Sequence, residues 1–273
     1  MVADQIHRTT SADGTKIAGR VHGQGPPLVF VHGILCDQDI WSPLVPHLEA
    51  DFTCYLLNTR GRGLSDDSAD LASERRLEDV KAFAESIGEP VGLVGHSLGA
   101  QMALHVTARS EKISAVAAYE PAVIELLGEE AMPDLRAGFM RMAEIAGEGR
   151  LADAAEAFFA HFTDQEELDE LRNSGLLDQT GRNVPVDLRT AQQTGESPPP
   201  LSEALGNVGV PILLLKGADS SAWFHDGVRY VAEHAAHSEV RALEGCGHFG
   251  PALAPGATAK ELRQFFAAEP ATA

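Results

Sequence analysis

One stretch constrains the fold of this chain more than any other: residues 91–100, which read Val-Gly-Leu-Val-Gly-His-Ser-Leu-Gly-Ala. An apolar, β-branched run enters Gly95-His96-Ser97-Leu98-Gly99. Met102, Ala103, Leu104, Val106 and Ala108 then follow at amphipathic spacing. This pattern predicts a buried strand, a sharp turn and a helix. A serine at such a turn sits on strained backbone with neighbouring chain close by. Glycines two residues before and two after it remove the Cβ atoms that would collide. The turn lifts the Ser97 hydroxyl to the carboxyl edge of a sheet. The Leu98 N–H, opening the helix, is placed to donate to a developing oxyanion with the help of the helix dipole.

The flanking segments say which kind of sheet this is. Residues 5–10 and 16–22 read as a hairpin around Ala12-Asp13-Gly14. Residues 28–31 form a continuous apolar strand ending in His32-Gly33, followed by a loop and a helical pattern over 41–49. A strand over 52–57, a polar glycine loop from Asn58 to Ser65, a helix over 73–87 and a strand over 113–119 complete the first half. Leu77, Val80, Ala84 and Ile87 share one face of that helix. Strands alternating with helices imply right-handed crossovers and a mostly parallel, doubly wound α/β sheet covered on both faces.

The alternation stops at Glu120-Pro121. Residues 121–207 carry helical patterns only, over 134–146, 151–162 and 165–177, and Pro198-Pro199-Pro200 closes the region. An insertion of this kind predicts a helical lid over the carboxyl edge of a core made of residues 1–120 and 208–273. Phe139, Met140, Phe158, Phe159 and Phe162 either line a pocket or form the lid's own core. The sheet resumes over 210–215, followed by a helix over 223–236, a strand over 239–243, a loop over 244–251 and a closing helix over 258–268.

A formal net charge of −19 argues against nucleic-acid or anionic-membrane partners and sets a mild bias against anionic substrates. The acidic groups at Glu129-Glu130 and across 164–170 read as a solvated surface. No apolar run approaches the ~20 residues a membrane span needs. The first ten residues lack the pattern of a secretory signal, so the expected location is the cytoplasm. Cys36, Cys54 and Cys246 are an odd number with no metal-type spacing, which argues against a disulfide framework.

A serine nucleophile needs a base within hydrogen-bond reach. His248, in Gly247-His248-Phe249-Gly250 after the last strand, lies on a loop that opens on the same sheet edge as Ser97. His234 and His237 have i, i+3 spacing on a surface helix but lack a third metal ligand, so no metal site is expected. His96 is expected to point away from the cleft, because consecutive residues at the turn face opposite ways. A third group must orient the base. Glu120, after the strand over 113–119, and Asp219, after the strand over 210–215, both emerge at the carboxyl edge in the order serine, acid, histidine.

Taken together, His32-Gly33, Gly95-His96-Ser97-Leu98-Gly99, Lys216-Gly217-Ala218-Asp219 and Gly247-His248 resemble the α/β-hydrolase superfamily across nearly the whole chain. The resemblance implies an oxyanion hole from the N–H groups of Ile34 and Leu98. It gives the Arg60 to Ser65 turn a structural role, with Asn58 where relatives carry aspartate. In many relatives the acid stands at the position of Ser220, so Asp219 comes one residue early. Haloalkane dehalogenases and zearalenone lactonases place the acid after the preceding strand, as Tyr119-Glu120-Pro121 does. Glu120 is therefore favoured and Asp219 is the alternative.

The implied activity is a cofactor-free serine hydrolase cleaving a carboxylic ester or lactone of a small to medium apolar substrate through an acyl-enzyme. Leu35, Trp41, Trp223, Phe224 and Phe249 are candidate pocket walls beside Ile34 and Leu98. One alternative with the same triad is a C–C bond hydrolase, for which Arg136, Arg141, Arg182 and Arg189 are candidate carboxylate ligands. A cofactor-free haloperoxidase or perhydrolase is another. A non-catalytic small-molecule receptor on the same fold is the reading from a different class. The oligomeric state is not legible in the sequence.

Overall fold

A computed structural model describes residues 5–126, 132–193 and 200–268. Eight strands form one sheet in the order β1-β2-β4-β3-β5-β6-β7-β8. These are β1 (Gln5–Thr10), β2 (Lys16–Gly23), β3 (Pro27–Val31), β4 (Thr53–Asn58), β5 (Val91–His96), β6 (Ile113–Tyr119), β7 (Ile212–Gly217) and β8 (Ser238–Leu243). β1 pairs with β2, and β2 with β4, antiparallel; every later pairing is parallel. A parallel sheet buried on both faces needs apolar side chains on both, and β3 supplies them. Leu28 and Phe30 enter one core layer, while Val29 and Val31 enter the other.

The Val29 layer contains residues from α1 (Ser73–Glu85) and α2 (Leu98–Thr107). The Phe30 layer contains Trp41 and residues of a closing helix, Pro255–Ala268. Between β6 and β7 the chain leaves the sheet for α3 (Met132–Gly147), α4 (Leu151–Phe159), α5 (Gln165–Ser174), α6 (Leu176–Gly181) and α7 (Val184–Ala191). These five helices pack on one another as a helical insert. The next helix, α8 (Leu201–Leu205), packs on α2 and on α9 (Ala222–His234), and Leu201 and Leu205 join the Val29 layer. The helical stretch before β7 thus includes one piece of the sheet's own flanking layer. The chain closes with α10 (Gly250–Leu253) and α11 (Pro255–Ala268).

Two local expectations are corrected, and one helix was not expected. Residues 41–49 are not a helix. Short 3₁₀ turns at Gln38–Trp41 and Val45–His47 stand there, because Pro43 and Pro46 each lack the N–H that a continuous helix requires. The helix expected over 165–177 ends at Ser174, where Gly175 turns left-handed at φ 78° and starts a new helix. The helix over Val184–Ala191 had no sequence signal strong enough to predict it. Glu129, Glu130, Pro198 and Pro199 lie outside the described residues. All three cysteines are free and buried, and no described helix is long and apolar enough to cross a membrane.

Candidate active site

Ser97 joins β5 to α2 with φ 56° and ψ −121°, a conformation that L-residues rarely adopt. The sequence permits it because a Cβ at Gly99 would run into the carbonyl oxygens of Val31 and His32, and one at Gly95 into the backbone of Ala100. The Ser97 N–H donates to the Tyr119 carbonyl at 2.9 Å, tying the turn to the end of β6. Only three non-glycine residues among those described have positive φ: Leu35 at 58°, Ser97 at 56° and Glu120 at 44°. All three lie in the turns that follow β3, β5 and β6, at the carboxyl edge. Strain of this kind persists only where surrounding structure overrides it, and it gathers at functional sites.

The turn at Glu120 sends its side chain inward. Its carboxylate is fully buried; Oε1 accepts the Gly217 N–H at 2.7 Å and Oε2 lies 2.7 Å from His248 Nδ1. With that carboxylate as acceptor, the proton of the neutral ring sits on Nδ1 and Nε2 is left as the basic atom. Burial pushes the His248 imidazole well below the usual histidine range, so the ring is uncharged near neutral pH. Burial also raises Glu120, to about 7, against the opposing pull of the Ser220 hydroxyl and the Gly217 N–H. Ser220 therefore places a small hydroxyl, and not a second acid, where many relatives carry theirs. Asp219 is exposed at the surface, and its N–H donates to Cys246 O.

Four groups hold the loop that carries His248. Tyr119 Oη donates to Gly247 O at 2.6 Å, and His96 Nε2 donates to His248 O at 2.9 Å. From α5, Glu167 Oε1 accepts the Phe249 N–H at 2.6 Å. The Phe224 ring stacks on the imidazole, with centroids 3.7 Å apart and planes within 7°. His96 was expected to point away from the cleft. Instead it lies behind His248, with ring centroids 4.6 Å apart, and lines the cavity. Its orientation is set by the carbonyl it bonds across the sheet edge, which no local rule about alternating residues anticipates.

Ser97 and His248 open onto one cavity of about 660 Å³. No hydrogen bond joins the serine hydroxyl to the imidazole in this structure; such contacts often tighten only once substrate is bound. Ile34 and Leu98 line the same cavity, and their N–H groups have no partner among the described residues. Leu98 is the first residue of α2, so its N–H has no intrahelical acceptor. Phe139, Phe158, Phe159 and Phe162 from the insert line the cavity with Trp223, Phe224 and Phe249 from the core, Phe159 packing on Phe249 at 4.9 Å and Phe162 on Trp223 at 5.6 Å between ring centroids. Met140, by contrast, is 73% exposed.

Leu35 and Trp41, expected as pocket walls, do not line the cavity. Both are fully buried in the core beneath it. The Leu35 N–H donates to Asp187 Oδ2 and its carbonyl accepts from Asn183, which anchors the strained turn to α7. Trp41 packs on Phe30 and behind His96. Arg136, Arg141, Arg182 and Arg189 do not line the cavity either. Arg76 and Gln101 do, and sequence reasoning missed both. A signal for Arg76 existed, since it stands four residues before Val80 on the buried face of α1.

The Arg60 turn is structural, as expected. Arg60 grips both oxygens of buried Asp79 through Nε and Nη2 at 2.7 Å each. Ser65 Oγ donates to Asn58 O at 2.7 Å. Among the described residues, no group of three or more His, Cys, Asp or Glu side chains is arranged to hold a metal ion.

Comparison with known proteins agrees with this fold. A crystal structure of an α/β hydrolase from Sphaerobacter thermophilus superposes with TM-score 0.75 at 26% identity, covering 95% of this chain and all of that one. The esterase RhEst1 from Rhodococcus superposes with TM-score 0.79 at 25% identity, over 97% and 99% of the two chains. Among curated proteins, N-formylmaleamate deformylase of Pseudomonas putida is 30% identical over 54% of this chain and 56% of its own. A 2-(acetamidomethylene)succinate hydrolase of Mesorhizobium japonicum is 25% identical over 90% of each chain. The chain spans about half the length of the first curated relatives it matches. With residues 28–261 matching the family model, this chain belongs to the Alpha/beta hydrolase family.

Proposed function

We propose that the protein is a serine hydrolase that cleaves a carboxylic ester or lactone through an acyl-enzyme. The observation that carries this reading is the buried Glu120 carboxylate, which holds His248 Nδ1 at 2.7 Å in the cavity onto which Ser97 opens. In the first step His248 Nε2 takes the Ser97 proton as Oγ attacks the carbonyl carbon. The imidazolium so formed is stabilised by Glu120, which the neighbouring Gly217 N–H keeps oriented. The free N–H groups of Ile34 and Leu98 receive the negative charge that develops on the carbonyl oxygen. The same imidazolium then returns its proton to the departing alkoxide. Water, activated by His248, releases the acyl group from Ser97.

Ser97→Ala is expected to lower kcat on p-nitrophenyl esters by about 10⁴-fold or more, and a fluorophosphonate probe should label the wild type at Ser97 alone. A Ser97→Ala protein that keeps its rate within tenfold, or a wild type that takes no label, overturns the proposal. It would favour a receptor on the same fold. The similarity to a deformylase and to a hydrolase of 2-(acetamidomethylene)succinate supports adding N-acyl substrates to the same assay.

A further inference from the structure

The cavity has a polar pole that the hydrolytic step leaves unused. Arg76, in the first turn of α1, is only 9% exposed and lines the cavity beside Ser73, Gln101, Asp187 and Thr190. A buried guanidinium ordinarily faces a carboxylate, because removing its charge from water is costly unless that charge is paired. Among the described residues Arg76 has no such partner. Among the described residues its one hydrogen bond runs from Nη2 to Ser73 Oγ at 3.2 Å, and its Nε is buried with none.

The nearby acids are committed elsewhere. Asp187 Oδ1 is held by Arg62 Nη2 at 2.6 Å and its Oδ2 by the Leu35 N–H at 2.9 Å. Both oxygens of Asp79 belong to Arg60. Glu125, exposed at the cavity's edge, accepts the Leu201 N–H at 2.6 Å. Burial lowers Arg76 to about 10; of the charges around it, Asp187 raises it more than Arg62 lowers it, and Asp79 more than Arg60. The group is still charged at neutral pH, and no carboxylate among the described residues hydrogen-bonds it. One turn along α2 from the free Leu98 N–H, Gln101 presents a carboxamide that bonds nothing among the described residues. A charged fork and an amide donor therefore line the same cavity as the aromatic rings.

We infer that Arg76 and Gln101 form a carboxylate-binding subsite, so that the substrate is an ester carrying a carboxylate away from the bond that is cleaved, such as the monoester of a dicarboxylic acid. This inference rests on the serine-hydrolase reading for its cleavage step, though not for binding. It reverses the expectation, drawn from net charge and an aromatic lid, of an uncharged substrate. The guanidinium meets the carboxylate with two parallel N–H donors, which fixes the acyl chain's direction and aims the ester at Ser97.

The experiment compares kcat/KM for mono-p-nitrophenyl esters of glutaric, adipic and pimelic acids with methyl-ended esters of equal length. At least one acid-ended ester should be preferred about 10- to 100-fold, the worth of a charge-assisted hydrogen bond. Arg76→Met should remove that preference, and Arg76→Lys should keep part of it. Equal kcat/KM across both series, or an unchanged ratio in Arg76→Met, overturns the subsite. Free adipate provides a readout independent of cleavage: it should raise the unfolding temperature of the wild type and not of Arg76→Met. A protein that binds adipate through Arg76 yet takes no label at Ser97 keeps the subsite and loses the hydrolase reading. Turnover of neutral esters with neither adipate binding nor acid-end preference does the reverse.

Discussion

The Glu120 carboxylate and the His248 ring face each other in a space from which water is almost excluded, and this sets what each does. Burial raises the acid to about 7, and the Gly217 N–H, which donates to it, replaces part of the water it lost. The ring stays neutral because burial disfavours the imidazolium. A neutral ring is the form a base needs and an ionised Glu120 is what steadies its imidazolium, so the acid limb of kcat/KM is expected near pH 7, where Glu120 takes up its proton. Glu120→Gln should lower kcat by on the order of 10³- to 10⁴-fold, because an amide can hold the imidazole in the wrong tautomer. Asp219→Asn should leave kcat within twofold, its side chain being exposed. Initial rates of both variants on one p-nitrophenyl ester check this, and a large loss in Asp219→Asn alone would transfer the role to Asp219.

At the scale of elements, the insert is fastened to the chemistry as well as placed over it. Glu167 of α5 caps the Phe249 N–H at 2.6 Å, and Asp187 of α7 joins Arg62 to the strained Leu35 turn. A shift of the insert would therefore be felt on both sides of the cavity, at the His248 loop and at the Ile34 N–H. Glu167→Leu leaves a buried N–H without an acceptor and should cost about 1–3 kcal/mol of stability. It should lower kcat more than it changes KM, since the imidazole loses its anchor while the aromatic walls remain. Glu167→Gln retains an acceptor and should cost much less. Urea unfolding and steady-state kinetics of the pair check this; equal losses in both variants would show that charge, not the hydrogen bond, matters.

For the whole molecule, the buried titratable groups oppose one another. Burial lowers His32, His96 and His248 from 6.5 to about 3, so each takes up a proton more readily in the unfolded chain. Stability from these groups is complete above pH 6.5 and is lost as pH falls toward 3. Glu120 and Glu167 are raised from 4.5 to about 7, so they bind protons more readily in the folded state. Their contribution is complete below 4.5 and is lost as pH rises toward 7. His7 and His105 are lowered by burial as well, so between 4.5 and 6.5 the histidines outweigh the two glutamates, and below 4.5 the lowered Asp13 and Asp67 add to the loss. The unfolding free energy is expected to rise with pH from 4.5 to 6.5 and to fall steeply below 4.5. Urea titrations across that range check the shape; a stability that falls as pH rises from 4.5 to 6.5 would contradict it.

The sequence by itself determined the strand–turn–helix at Ser97, the crossover alternation that makes the sheet parallel, and the placing of His248 at the carboxyl edge. These follow from local demands: glycines where a Cβ would collide, apolar runs where both faces are covered, loops that topology sends to one side. Tertiary structure decided which acid reaches His248, which aromatic rings line the cavity, and that Arg76 stands there with no carboxylate bonded to it among the described residues. Those outcomes depend on side-chain directions at strand ends and on contacts between residues far apart in the chain. Glu120 turns inward because its backbone sits at φ 44°, held by its N–H to Leu215 O, ninety-five positions later. Neither the strain nor that partner is visible in a stretch of residues read on its own.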